Sequence, residues 1–133
     1  MVRLLLVVVL LLCAACGRHS ERADYDARVA QLLESRFRWI SAGQCAYDVL
    51  GADAFRLFVY YHCRAPDDSQ GAAGEAVVHV DKSGRPHALS LPRDGSDYGA
   101  DLSKLFPSDV LRILRSERNM VKVRERVAAR LAR

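Results

Sequence analysis

Two cysteines, Cys45 and Cys63, sit near the outer ends of two short segments in which aromatic and β-branched residues concentrate, Gln44 to Leu50 and Phe55 to Arg64. Such segments read as strands, and the Gly51-Ala52-Asp53-Ala54 stretch between them reads as a turn region. If Cys45 faces Cys63 across this hairpin, Tyr47 falls opposite Tyr61 and Val49 opposite Val59, all on one face, around a short turn centred on Ala54. One assumption of facing thus sets three favourable cross-strand pairs, the cysteines included. Shared parity contributes part of that agreement.

The bond needs an oxidising compartment, and the first sixteen residues, MVRLLLVVVLLLCAAC, have the layout of an export signal: a charge at Arg3, an apolar run from Leu4 to Leu12, then small residues. The uncharged stretch from Leu4 to Gly17 is short of the roughly 18 residues a membrane span needs. Leu12-Cys13-Ala14-Ala15-Cys16 resembles the lipobox of bacterial lipoproteins. The resemblance covers only the leader and implies removal of residues 1–15, with Cys16 acylated, palmitate included, as the new N-terminus. Cys13 stands where the lipobox has Leu, and bulky Leu12 argues against Cys13 as the modified residue. The alternatives are an ordinary secretory signal cut after Ala15 or Gly17, and a retained transmembrane anchor. Acylation of Cys16 leaves two thiols, Cys45 and Cys63, whereas without it an odd cysteine is stranded. Gly17 in place of Asp after the modified cysteine implies, by the same resemblance, the periplasmic side of the outer membrane.

No family is recognised in the remainder. Residues 16–23 are expected to be a short tether and 24–133 a single α+β domain. Tyr25, Val29, Leu32, Leu33, Arg36, Phe37 and Ile40 recur at helical spacing, with Asp24 as cap, Asp26 in the first turn and an end near Gly43. Trp39 lies beside that stripe as a cover for the core edge. Ala65 to Gly74 is a polar, Gly-rich loop of ten residues. Glu75 to Asp81 and Arg85 to Leu91 form a second hairpin, in which Gly84 can take the positive φ of a bulged turn. Its register stays open: one turn puts His79 opposite His87, another puts Val78 opposite Leu89 and separates the histidines onto opposite faces. After a loop from Pro92 to Ala100, a helix begins near Phe106-Pro107, capped by Ser108 or Asp109. Val110, Ile113, Leu114, Met120, Val121, Val127, Ala128 and Leu131 form its stripe, with a break around Asn119. The expected fold is an antiparallel four-stranded meander with an N-terminal and a C-terminal helix packed on one face.

Chemistry finds little support in the residues. His62 and Cys63 are adjacent in a strand and point to opposite faces, so they make no nucleophile and base pair. Neither C-x-x-C nor H-E-x-x-H nor G-x-S-x-G occurs. His79 and His87 read as solvent-facing, and Asp67, Asp68, Asp94 and Asp97 as loop carboxylates. No catalytic residue, metal or cofactor is expected. Charge is concentrated at the end: Arg112 to Arg133 holds eight basic residues against Glu117 and Glu125, while the chain from Cys16 onward carries only +3. Arg112, Arg115, Arg118, Lys122, Arg124, Arg126 and Arg130 are therefore expected to face outward, either as a solvated face or as a contact for anionic lipid or an acidic envelope protein. Nucleic acid is a poor partner for an exported chain. The function expected is that of a membrane-anchored cell-envelope lipoprotein acting as a non-enzymatic binding or assembly module. The alternative is a small apolar or lipid ligand held between helix and sheet near Trp39, Phe37, Tyr47 and Tyr61.

Overall fold

The first hairpin forms as the cysteines demand. In the computed structural model, which describes residues 21–133, β1 (Gln44–Ala52) and β2 (Arg56–Arg64) pair antiparallel with Cys45 opposite Cys63, Tyr47 opposite Tyr61 and Val49 opposite Val59. The Cys45–Cys63 disulfide is formed. Cys16 and the lipobox lie outside the described residues. A bulge between Val49 and Gly51 shifts the register, so the strands run on to Ala52 and Arg56 rather than closing around Ala54. Asp53 holds the turn, accepting from the Phe55 N–H at 3.1 Å and from the Arg56 side chain at 2.8 Å.

β3 (Gly71–Val80) pairs with β2, and β4 (Pro86–Ser90) pairs with β3, giving the meander β1-β2-β3-β4. The expected ten-residue loop is therefore overturned in part: Gly71, Ala72, Ala73 and Gly74 are strand, and only 65–70 is a turn, closed by Ala65 N–H to Gln70 O at 2.9 Å. Small residues with weak strand preference are recruited here because Tyr61, His62, Cys63 and Arg64 need partners on their second edge. The second hairpin takes the register with Val78 opposite Leu89 and Gly84 at φ +82°. A shift between His79 and Val80 leaves His87 without a partner in the ladder. The histidines consequently meet, with ring centroids 6.4 Å apart, instead of parting onto opposite faces.

Helices cover both faces of the sheet, not one. Helix α1, from the first described residue to 36, places Val29 and Leu33 over Tyr47, Val59, Tyr61, Cys63 and Val78. It already includes residues 21–23 of the expected tether and Asp24, which is no cap, and it ends at 36 rather than near Gly43, after which a turn carries Ile40 into the core. On the opposite face, α2 (Tyr98–Leu105), α3 (Ser108–Leu114) and α4 (Glu117–Leu131) bury Phe106, Val110, Met120 and Val123 against Leu50, Phe58 and Val77. The cause is visible in β2, where Leu57, Phe58, Val59, Tyr60 and Tyr61 are apolar or aromatic at both parities, so neither face can be left to water.

Helix α2 lies where the sequence reading has loop and unassigned residues. Pro107 keeps Phe106 extended, φ −115° and ψ 136°, and so separates α2 from α3. The terminal helix is likewise broken at Ser116, not at Asn119: Ser116 caps α4 by accepting from the Asn119 N–H. The break resets the helical phase, so Val123 joins the core while Val121 and Ala128 are exposed.

Candidate functional site

The basic residues divide into two groups. Asp48, buried in β1, receives Arg126 Nε at 2.8 Å and Nη2 at 2.7 Å, and Arg130 Nη2 at 3.3 Å. Arg130 also donates to the carbonyl of Tyr47. Arg124 bonds Glu117 at 2.8 Å and reaches Tyr60. These three arginines, expected to face outward, are thus committed to the domain's own acceptors. Arg112, Arg115, Arg118 and Lys122 are exposed and have no ion pair among the described residues. Asp48 was missed by sequence reasoning; the signal was a carboxylate inside an apolar strand of a chain whose last helix is basic.

The aromatics proposed to hold a ligand do not enclose one cavity. Val29 and Leu33 fill the space between α1 and the sheet, and the Tyr47 hydroxyl donates to Asp26. Burial first, then the Asp26 bond, pushes the Tyr47 hydroxyl above its ordinary value. Trp39 is exposed and meets Phe37 edge to face, with ring centroids 6.5 Å apart. Phe37 stacks on Tyr61 at 5.1 Å.

Phe37 and Tyr61 instead form one wall of a cleft of about 450 Å³ beside β3, continued by Gly74, Glu75, Leu91 and Tyr98. It exists because β4 stops early. Val77 faces Ser90, and beyond them Pro92 has no N–H to give a ladder, while the Arg93 N–H is bonded at 2.9 Å to Asp101. Arg93 adds Nε at 2.8 Å and Nη2 at 3.0 Å to the same carboxylate, which straps 91–97 across to α2. The Arg93 bonds hold the Asp101 carboxyl well below the ordinary carboxylate range. Tyr98 donates to Glu75 at 2.7 Å, and burial together with that bond raises the Tyr98 hydroxyl. Burial, with Glu75 and Asp94 nearby, pushes Tyr61 up to about 12. Sequence reasoning passed over this cleft because Ala73, Gly74, Pro92, Asp94 and Tyr98, which line it, fall in two stretches read as loop.

At the other end of the sheet, His79 Nε2 is 2.7 Å from Ser90 Oγ and His87 stands alongside. Among the described residues, no group of three or more His, Cys, Asp or Glu side chains converges as a metal site, and no helix is long and apolar enough to cross a membrane. Comparison with protein-family models, curated proteins and solved structures gives no match to the chain.

Proposed function

We propose that this chain is a lipid-anchored cell-envelope protein whose domain acts as a non-enzymatic binding or assembly module held against the membrane. The observation that carries the reading is that the chain is already helical at residue 21, the first described residue. With helix already present at residue 21, an acylated Cys16 is separated from the folded domain by no more than roughly 17 Å of chain. The disulfide suits the oxidising compartment that export implies.

Two further features fit a membrane-facing end. The beginning of α1 shares a cleft with Ser83 to Pro86 of the β3–β4 turn, and Val110 of α3 packs at Gly51, next to the β1–β2 turn. Both turns lie at one end of the sheet, which carries the first described turn of α1, the exposed Phe55 and the start of the unpaired basic surface. Each cation near an anionic bilayer contributes up to about 1 kcal/mol.

The test has two parts. Mass spectrometry of the protein recovered from cells should find an N-terminal peptide beginning at acylated Cys16; an intact Met1 or an unmodified start removes the anchor. With Cys16→Ser, residual binding to anionic vesicles should fall with salt, and fall further when Arg112, Arg115, Arg118 and Lys122 are changed to Gln. Equal binding with and without those four changes would reduce the basic surface to solvation.

A further inference from the structure

The two edges of the sheet are treated differently. Along β1, Arg130 takes the Tyr47 carbonyl, a bulge at Val49 to Gly51 bends the strand, and α4 lies alongside. These are the ordinary protections of an edge strand. Along β3, β4 covers only Val77 to Val80. The outer edge of residues 71–76 has no strand beside it and, among the described residues, its main-chain N–H and C=O groups have no hydrogen bond to a side chain or loop, Tyr98 bonding only the Glu75 side chain. Gly71, Ala72, Ala73 and Gly74 offer neither the lysine, the proline nor the bulge that would turn another chain away.

The absence of a partner here is built in. Extending the β3–β4 register would set Pro92 opposite Glu75 and Arg93 opposite Gly74, and those residues lack an N–H or have given it to Asp101. The strap they form stands off the edge and leaves the cleft open beside it.

We propose that this edge accepts an extended segment of another polypeptide as an added strand, antiparallel to β3 and in line with β4. Main-chain bonds to residues 71–76 supply affinity, and alternation of side chains supplies selectivity. Every second side chain of the segment meets Phe37, Tyr61 and Leu91; the others meet Glu75, Tyr98 and Arg124. Arg36 and Arg124 stand with Glu75 and Asp94 around the cleft, and Arg124 is already paired with Glu117, so the fitting segment is near neutral without an acidic excess, with small apolar residues alternating with polar ones. That the partner belongs to the envelope rests on the function proposed above; the open edge does not.

The experiment uses the protein as recovered from cells and a set of ten-residue peptides alternating Val or Ala with Ser or Thr. Binding is followed by amide hydrogen exchange and by competition among peptides. Strand addition predicts new protection confined to alternate amides within 71–76. It also predicts that N-methylation of every second peptide amide weakens binding about tenfold or more in one register and little in the other, because only one set of amides faces β3. Three results overturn the proposal: no protection by any peptide at about 1 mM, equal binding of both methylated registers, or protection that appears without peptide as protein concentration rises, which would assign the edge to self-association. Peptide binding without acylation at Cys16 would leave strand addition standing and remove only the envelope partner; acylation without peptide binding does the reverse.

Discussion

At the scale of single residues, two carboxylates organise what the apolar pattern leaves free. Asp48 is the anchor of the terminal helix, since Arg126 and Arg130 both end on it. Asp48→Ala should destabilise the fold by about 2 kcal/mol, less than the loss of a fully buried pair, because the two arginines left behind are half exposed and rehydrate. Arg126→Ala should cost about 1 kcal/mol, as Arg130 still serves the carboxylate. Denaturant titration of the two variants and their combination measures the coupling; equal losses would mean that Arg130 gives Asp48 nothing. Asp101 works differently, through acid stability. Its carboxyl is held below the ordinary value by Arg93, so the stabilisation is complete above about pH 4 and disappears as pH falls toward the lowered value. Asp101→Asn should therefore lower Tm near neutrality, and the gap from the unaltered protein should narrow as pH is brought from about 5 to about 2. A gap constant across that range would separate the ion pair from the acid response.

At the scale of elements, the first hairpin is tied twice, by the disulfide and by the apolar pairs behind it. Closing a loop over a sequence separation of 18 residues contributes about 3 kcal/mol in the chain-entropy view. Replacing Cys45 and Cys63 together by Ala should lower the denaturant midpoint accordingly while leaving the far-ultraviolet dichroism unchanged, because Tyr47–Tyr61 and Val49–Val59 preserve the register. Loss of the strand signal would show that the bond, not the pairing, holds the sheet. The hairpin was legible because its register is local and of period two. The β3 start at Gly71 was not, since four small residues carry no strand signal and are ordered only by the edge of β2 that they complete. The break at Ser116 was displaced for a related reason: a cap serine resembles any other serine until the Asn119 N–H is seen to use it.

At the scale of the whole molecule, the central sheet is buried from both sides, and adjacent residues of β2 belong to different cores. Phe58 packs with Phe106 and Val110 under the C-terminal helices, whereas Val59 packs with Val29 and Leu33 under α1. Phe58→Ala should cost about 3 kcal/mol and Val59→Ala about 2 kcal/mol. Were helices on one face only, one of these neighbours would tolerate truncation, so unfolding measurements on the pair test the layering directly. What the sequence alone determined is the α+β class, the four-stranded order and the first register, because alternation, helical spacing and a pair of cysteines are local patterns that water enforces. Tertiary structure decided which face each helix covers, which arginines are consumed by Asp48 and which edge stays open. Those outcomes depend on residues far apart in the chain, Arg126 with Asp48 and Arg93 with Asp101 against the end of β4, and no local pattern records such a meeting.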